Sequence, residues 1–307
     1  MIITLTGNLL AERTLTFPNW FPGKTKRATS ETFQVGGKGI NVAKMLRRID
    51  AATTAWCFTG GAAGAECAEW LAAQGIPHRT FPTTAPTRTG LVVRSENQAE
   101  TTFLGPDRAP DAEALHACAQ ALDAARGGKA LLALCGSFPG WDSAHAEPLR
   151  AAIARWAETG ALVGDSYGPP LTWLVQRPVA LIKINRQEFD GLFPLSERNR
   201  SVPERLDEIR NRWAPRQWIV TDGGGPLCYA AVDTKAVRVQ PPIVQEVSAT
   251  GSGDVLFACV LRALFDQNLT LADAIAYAIP YAAANAAHPG VAEFELNNLP
   301  APGSFAP

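Results

Sequence analysis

The sequence predicts an α/β protein in which helices cover both faces of a mainly parallel sheet, with a second, smaller sheet beside it. From about residue 129 onward, short apolar runs alternate with amphipathic segments of helix length, which is typical of a parallel sheet with helical crossovers. Two earlier stretches, 11–35 and 87–104, alternate like strands and contain no crossover helix. The 307 residues suffice for one large core, so we expect a single domain over 1–307.

The N-terminal third supplies a strand, two helices and the small sheet. Residues 2–6 form a strand-like run directly after Met1. Helices are expected near 39–49 and 65–74, between the two strand-like stretches. We interpret those stretches as a small sheet inserted into the main domain, where it would act as a lid.

The rest of the chain supplies the layers of the main domain. The runs predicted to be strands are 130–134, 161–164, 179–182 and 218–220. The segments predicted to be helices are 111–125, 146–158, 203–213 and 271–286. A further helix begins near residue 254, and its residues Leu256, Val260 and Leu264 recur at the spacing of one buried face.

Polar residues follow four of the predicted strands directly. Ligands of such folds gather at the carboxyl ends of the strands, so we expect the chemistry of the protein at these positions. They are Gly136 and Ser137, Asp165 and Ser166, Lys183 and Asn185, and Thr221, Asp222 and Gly223.

The most informative segment is a glycine turn at 251–254 that opens directly into the helix predicted to begin near residue 254. Gly251 and Gly253 permit unusual backbone angles, and a helix N-terminus favours an anion. We therefore predict a phosphate cradle whose donors are three consecutive N–H groups facing open space, those of Gly251, Ser252 and Gly253. Asp254 stands at its lip, where a carboxylate could accept a proton from an attacking alcohol. On this segment alone, helix capping is the favoured role for Asp254.

A second glycine turn, at 36–43, also runs into a helix and carries Lys38 and Asn41. Backbone at such a turn can approach a ligand closely, which suits a hydroxyl-bearing substrate with an anionic end. Neither glycine turn completes the dinucleotide fingerprint, and Gly23-Lys24-Thr25 lacks the earlier glycine of a P-loop. The sequence therefore points to a phosphate site of another kind.

Lys183, Asn185 and Glu188 follow one another closely at the end of a buried strand. Lysine can meet phosphate charge, and the amide and carboxylate can hold a hydrated Mg²⁺, which takes few protein carboxylates. The spacing of Asn185 and Glu188 also fits a capping box at the start of the next helix, and that interpretation is favoured for the motif by itself.

The composition excludes several classes of function. Charges nearly balance, with 28 lysines and arginines against 29 aspartates and glutamates, so no global field recruits nucleic acid or an anionic membrane. No signal peptide follows Met1 and no apolar run spans a membrane, which indicates a cytoplasmic protein. The six cysteines and four histidines lack the spacing of a metal site, and we expect neither disulfides nor zinc.

Taken together, five segments resemble in order and spacing the PfkB/ribokinase family of carbohydrate kinases. They are 36–43, 136–140, 183–188, 221–223 and 251–254. The most specific are Gly-Gly-Lys-Gly-Ile-Asn-Val-Ala at 36–43 and Gly-Ser-Gly-Asp at 251–254. The resemblance covers nearly the whole chain and implies a ribokinase-like three-layer α/β/α sandwich with a small β-sheet lid.

The resemblance implies Mg²⁺-dependent transfer of the γ-phosphoryl group of ATP to a sugar hydroxyl. It gives Asp254 the role of catalytic base and the turn 251–253 that of an anion hole. It assigns to ATP and its metal the residues Lys183, Asn185, Glu188, Thr221, Gly223 and Asn285. Of these, Asn185 and Glu188 would manage Mg²⁺, and Asn285 would lie near the adenine.

On the sugar side, the resemblance assigns a substrate loop and residues around it. The candidates are Glu12, Gly37, Lys38, Asn41, Arg88 and Ser137. Glu12 stands where the family has an aspartate that binds sugar hydroxyls, and one more methylene would fit a different sugar. Lys38 and Arg88 look like the cations of the phosphosugar branch, which includes 1-phosphofructokinase and tagatose-6-phosphate kinase. The first choice of substrate is therefore fructose 1-phosphate, fructose 6-phosphate or tagatose 6-phosphate.

Two other functions stay open from the sequence. One is a kinase for a free sugar or nucleoside, in which Lys38 and Arg88 would have structural roles. The other is a non-catalytic sugar or nucleotide sensor on the same fold; Ala249 lacks a hydroxyl common at its position, and Asp222 adds a carboxylate beside the phosphates. An exposed edge of the lid sheet would also suit a homodimer.

Overall fold

The computed structural model describes residues 1–96, 98–209, 211–300 and 305–306. Fourteen strands lie within these residues. They are β1 (Ile2–Thr6), β2 (Leu10–Phe17), β3 (Ser30–Gly36), β4 (Thr53–Thr59), β5 (His78–Pro82), β6 (Arg88–Ser95), β7 (Gln98–Leu104), β8 (Leu131–Gly136), β9 (Leu162–Ser166), β10 (Leu181–Asn185), β11 (Gln217–Thr221), β12 (Leu227–Ala231), β13 (Val237–Val239) and β14 (Phe305–Ala306).

Ten of these strands form the main sheet, in the order β14-β13-β12-β11-β10-β9-β8-β1-β4-β5. From β11 to β5 every neighbouring pair is parallel, while β12, β13 and β14 add antiparallel strands at one edge. The parallel strands end at one side of the sheet, and this brings Gly136, Ser166 and Asn185 to neighbouring positions. The predicted parallel sheet is confirmed.

Nine α-helices lie among the described residues. They are α1 (Lys38–Arg48), α2 (Gly61–Ala73), α3 (Ala112–Ala125), α4 (Glu147–Glu158), α5 (Pro169–Leu174), α6 (Arg186–Gly191), α7 (Val202–Ile209), α8 (Ser252–Leu261) and α9 (Leu271–Ala286). Short 3₁₀ segments lie at Ala144–Ala146 and Leu195–Glu197, and a π-helical turn at Arg262–Asp266 follows α8.

The main sheet is buried on both faces. Successive residues of β1 point to opposite sides, so Ile3 belongs to the core under α3 and α4, and Ile2 to the core under α1, α8 and α9. Trp156 and Trp218 fill the first core without exposure above 1%. This three-layer arrangement is why the strands are apolar at nearly every position.

The small sheet has the order β3-β2-β6-β7. It uses the two stretches that the sequence predicts, and β2 pairs with β3 antiparallel and with β6 in parallel. The register sets Glu12 opposite Gln34 and Leu10 opposite Arg88. The opposite face of the sheet, including Ala11 and Val35, packs with α2 through a separate apolar core.

Two predicted helices differ from the structure. The segment 203–213 gives a shorter helix, α7, because after Ile209 the chain turns back toward β11. The predicted single buried face of Leu256, Val260 and Leu264 is wrong: every residue of α8 from Asp254 onward is buried, because α8 packs against both α1 and α9. Leu264 lies in the π-helical turn and is half-buried.

The described residues include no helix long and apolar enough to cross a lipid bilayer. The six cysteines are all buried and unpaired. Burial raises the pKa of Cys57 and Cys67 to about 12, so both thiols are protonated and behave as small apolar side chains at neutral pH.

Candidate active site

The glycine turn before α8 has the backbone that an anion site needs. Gly251 has φ +76°, and a Cβ there would lie 2.3 Å from Val291 Cγ1, so only glycine fits. The N–H groups of Gly251 and Gly253 have no acceptor within the described part of the chain. The prediction fails at Ser252, whose N–H donates to the Ala249 carbonyl at 3.2 Å. Two of the three predicted donors are therefore available to an anion.

Asp254 lies in the first turn of α8 and is only 7% exposed. Its Oδ2 accepts a hydrogen bond from Asn41 Nδ2 at 2.7 Å. The segment 36–43, which carries the second glycine turn, therefore places the side-chain amide of Asn41 against the Asp254 carboxylate. Burial raises the pKa of Asp254 to about 6, and the negative charge of Asp165 adds to the shift. A carboxylate with a raised pKa beside an anion cradle has the properties of a general base.

Asp165, at the end of β9, is fully buried and lies between two lysines. Its Oδ1 accepts from Lys38 Nζ and its Oδ2 from Lys183 Nζ, each at 2.7 Å. Burial opposes the charge of the carboxylate, but the two ammonium groups outweigh it and hold its pKa below the usual value. Asp165 therefore fixes the positions of two cations that come from α1 and β10.

Lys38 also donates to Glu188 Oε1 at 2.9 Å, and its ammonium lies 5.3 Å from the centre of the Tyr167 ring. Burial lowers the pKa of Lys38, but the charges of Asp165 and Glu188 more than offset this and raise it. Lys38 is thus a fixed cation at all ordinary pH values, held between Asp165 at the end of β9 and Glu188 in the first turn of α6.

Lys183 lies directly against the anion cradle. A Cβ built on Gly253 would stand 2.6 Å from Lys183 Nζ. The absence of a side chain at position 253 therefore leaves room for the ammonium group. The lysine is 3% exposed and has Asp165 as its charged partner. The turn therefore offers an anion two backbone donors with a buried ammonium beside them.

Asn185 and Glu188 form the capping box of α6. Asn185 Oδ1 accepts from the Glu188 N–H at 2.8 Å, and Glu188 Oε2 accepts from the Asn185 N–H at 2.9 Å. With Lys38 on its other oxygen, Glu188 has both oxygens engaged. Of the two roles that the sequence left open for this motif, the structure contains the capping box.

The same pair fits a hydrated metal ion held through waters. Within the described residues no three carboxylate, histidine or cysteine side chains are grouped to hold a metal alone. Mg²⁺ usually keeps several waters and takes one or two carboxylates together with substrate phosphates. Glu188 and the exposed Asn185, at the mouth of a phosphate site, match that donor set.

A cavity of about 430 Å³ opens beside the cradle. Its polar lining includes the turn 251–254, Lys183 and Asn185, together with Thr221 and Gly223 at the end of β11 and just after it. The rest of the lining is largely apolar and includes Leu227, Ile243, Val244, Ile279, Ala282, Ala283 and Ala286. A cavity that combines phosphate donors with apolar walls suits a nucleotide.

Asn285 does not line this cavity, in contrast to the prediction that it lies near the adenine. Its side chain is fully buried, and its Nδ2 donates to the Thr250 carbonyl and to Ser252 Oγ, both at 3.0 Å. Its Oδ1 accepts from the Ala292 N–H at 2.7 Å. The helical repeat turns Asn285 inward, so it supports the anion turn from behind.

A second hydrogen-bonded group lies next to the small sheet. Arg88 Nη1 donates to Asp107 Oδ1 at 2.9 Å, and Asn8 Nδ2 donates to the same oxygen at 2.9 Å. Asn8 Nδ2 also lies 3.0 Å from Ser137 Oγ, which accepts from the Tyr167 hydroxyl at 3.1 Å. Two predicted substrate residues, Arg88 and Ser137, are therefore linked through Asn8 and Asp107.

Glu12 and Gly37 complete the predicted substrate residues. Glu12 accepts a hydrogen bond from Gln34 Nε2 across the lid strands. Gly37 has φ +124° and begins α1, and a Cβ there would lie 2.8 Å from Thr6 Cγ2. The glycine therefore allows the substrate loop to pack closely on β1.

Two carboxylates of the site had no role assigned to them from the sequence. The sequence showed Asp165 only as a polar residue at the end of a predicted strand. Its partners Lys38 and Lys183 are 127 and 18 positions away along the chain, so no local pattern indicated the two ion pairs. Asp107 follows the last lid strand in a loop without any motif. Only the strand order, which the sequence did not reveal, brings these carboxylates to the site.

Within one α/β sandwich, these features define a phosphotransferase site: an anion cradle at a helix N-terminus, a buried carboxylate beside it, paired lysines and an adjoining cavity with polar and apolar walls. The profile of the pfkB family carbohydrate kinases matches residues 5–297. The chain belongs to this family of carbohydrate kinases. ATP is accordingly its phosphoryl donor.

Curated relatives match most of the chain. The ATP-dependent 6-phosphofructokinase isozyme 2 of Escherichia coli (strain K12) is 28% identical over 285 residues, which cover 91% of this chain and 90% of that protein. The 1-phosphofructokinase of Rhodobacter capsulatus is 27% identical over 266 residues, covering 85% and 83%.

A solved structure of phosphofructokinase-2 from Escherichia coli in complex with potassium has a TM-score of 0.83, with 24% identity and 94% of each chain covered. This likeness establishes the fold, and the predicted three-layer α/β sandwich with a small extra sheet is confirmed.

Proposed function

We propose that the protein transfers the γ-phosphoryl group of ATP to a hydroxyl of a phosphorylated ketohexose. The observation that carries the proposal is Asp254, a buried carboxylate with a raised pKa beside free amides of an anion turn. The names of the relatives, a 6-phosphofructokinase and a 1-phosphofructokinase, support the same class of acceptor.

In this reaction Asp254 accepts the proton of the attacking hydroxyl, and Asn41 holds the carboxylate in place. The hydroxyl oxygen forms a bond to the γ-phosphorus as the bond to the bridging oxygen of ADP breaks. The amides of Gly251 and Gly253, with Lys183 beside them, stabilise the charge of the phosphoryl group in transfer. Asn185 and Glu188 would hold a hydrated Mg²⁺, which would supply neutralisation of phosphate charge.

The anionic end of the acceptor is assigned to Arg88, with Ser137 as a hydrogen-bond partner. Arg88 is a lid residue whose side chain is only 12% exposed, and its Nε is buried without a partner among the described groups. A buried guanidinium with an unused donor is suited to a phosphate. The carboxylate oxygen of Glu12 that does not accept from Gln34 would accept a hydrogen bond from a sugar hydroxyl.

A free sugar or nucleoside is the second candidate acceptor, and one observation favours it. Both cations proposed to attract a phosphosugar already have carboxylate partners: Arg88 has Asp107, and Lys38 has Asp165 and Glu188. A site whose charges are balanced internally can accept a neutral ligand.

The test is ADP release with ATP and Mg²⁺ over a panel of acceptors: fructose 1-phosphate, fructose 6-phosphate, tagatose 6-phosphate, free fructose, ribose and adenosine. Turnover of a phosphoketose that is lost in Asp254→Asn supports the proposal. Asp50→Asn is the matched control, because Asp50 is exposed and its φ of +57° is one that asparagine tolerates. Turnover of a neutral acceptor alone would support the second candidate. ATP binding without any turnover would favour the sensor.

We also propose a homodimer formed through the lid sheet. Within the described residues, β3 and β7 each pair on one side only, so the sheet has two open edges. Phe103 and Leu104 on β7 are 53% and 54% exposed. Open edges with exposed apolar side chains are commonly covered by a second chain.

A further inference from the structure

Asp107 stands where the phosphate of the acceptor would bind, and nothing in the reaction requires it. Its Oδ1 lies 2.9 Å from Arg88 Nη1 and 2.9 Å from Asn8 Nδ2. Asn8, which is 7% exposed, connects the carboxylate to Ser137 Oγ at 3.0 Å. The carboxylate therefore occupies donors that would otherwise face an anionic ligand.

The two members of the ion pair differ in how firmly they are held. The Arg88 side chain is 12% exposed, whereas that of Asp107 is 55% exposed. Asp107 can therefore turn into water at small cost, while the guanidinium stays in place. The carboxylate also lies on the wall of an open cavity of about 350 Å³, shared with Ser137 and Tyr167. Of the two members of the ion pair, Asp107 lines that cavity and Arg88 does not.

We propose that Asp107 is a built-in competitor for the phosphate of the acceptor at Arg88. This rests on the proposed function. In the free protein the carboxylate neutralises the guanidinium, and an incoming phosphate displaces it. The bisphosphate product keeps the same phosphate, so the returning carboxylate helps to expel it. Asp107 thus determines how tightly both phosphosugar and product bind, without touching the hydroxyl that reacts.

The test compares the wild type with Asp107→Asn. Asparagine keeps the shape and can still accept from Asn8 and Arg88, so the substitution removes mainly the charge. The dissociation constants of the phosphoketose and of its bisphosphate should both fall about threefold or more by calorimetry, because a competing anion has been removed from a largely buried arginine. The affinity for free fructose and the KM for ATP should be unchanged.

Asp123→Asn is the control, since Asp123 is also a half-exposed aspartate, 40% exposed, that pairs with an arginine, Arg155, but on helices outside the site. It should leave every constant at the wild-type value. A residue that merely supports the fold would weaken binding when changed. Tighter binding therefore distinguishes competition from support.

Two results would overturn the inference, and they are distinguishable. If the wild type binds and turns over a phosphoketose but Asp107→Asn binds it equally or more weakly, Asp107 is not a competitor and the proposed function stands. If neither protein binds any phosphoketose in the calorimeter, the inference and the phosphosugar assignment both fail.

Discussion

Asp254 is the residue whose ionisation should control activity. Its carboxylate accepts the proton only when ionised, and its pKa is about 6 because of burial and the charge of Asp165. We expect kcat/KM to fall as the pH drops through about 6 and to reach a plateau above 7. The measurement is the pH profile of ADP release at saturating ATP. A profile that stays flat down to pH 5 would show that Asp254 is not the base.

The phosphate of a phosphosugar also titrates near this pH. A variant is therefore needed to decide whether the fall of kcat/KM at low pH (the acidic limb of the profile) comes from Asp254 or from the substrate. Asp165→Asn removes a negative charge near Asp254 and leaves the substrate unchanged. The pKa of Asp254 should then fall, because its anion is no longer opposed by Asp165 and still faces Lys38 and Lys183. The limb should move to lower pH, while kcat decreases because both lysines lose their anchor. An unmoved limb would assign it to the substrate.

At this scale the sequence predicted the residues better than their partners. Local turn chemistry and strand ends marked the glycines and Lys183 as candidates, whereas the role of Asp254 as a base was implied by the resemblance to the family. The contact between Asn41 and Asp254 spans 213 positions, and no local pattern encodes it. The resemblance implied a position near the adenine for Asn285, and its contacts with Thr250 and Ser252, which are 35 and 33 positions away along the chain, are equally absent from any local pattern.

The turn before α8 makes a prediction about a whole element. Gly251→Ala should destabilise the fold by about 1–3 kcal/mol, because it combines a positive φ with a clash against Val291. Gly253→Ala should lower the thermal unfolding midpoint less than Gly251→Ala, since Gly253 has no positive φ and its Cβ would meet the end of the Lys183 side chain and not a packed valine. It should also raise the KM for ATP by displacing the ammonium.

Thermal unfolding together with ATP kinetics separates the two variants. Gly191→Ala is the control, because its Cβ would meet nothing within 4 Å. If Gly253→Ala kept normal ATP kinetics, Lys183 would have no part in phosphate binding.

The secondary structure was largely readable from the sequence. Helix α9 has the predicted limits, 271–286, because a threonine cap precedes a long apolar repeat. The burial of α8 was misjudged for a physical reason. A helix that packs against two other helices and the sheet is apolar on every face. The i, i+4 spacing of Leu256 and Val260 therefore described only one of the buried faces of α8.

At the scale of the whole molecule, the lid sheet should hold two chains together. Phe103→Lys adds a charge to an exposed apolar edge strand, which disfavours pairing with another edge. We expect the mass in solution, measured by light scattering, to change from dimer to monomer. Leu195→Lys is the control, because Leu195 is 77% exposed and lies in a 3₁₀ segment distant in sequence from the lid. A wild-type protein that is monomeric at all concentrations would contradict the proposal.

The position of β1 in the middle of the main sheet has a consequence for how the chain is made. Residues 2–6 are synthesised before both of their neighbours in the sheet, β4 and β8, and β8 ends only at Gly136. Strand β1 must therefore wait, unpaired on one side, until residues 131–136 have been synthesised. A nascent chain halted before residue 131 should bind chaperones, and one released beyond Gly136 should begin to close its core.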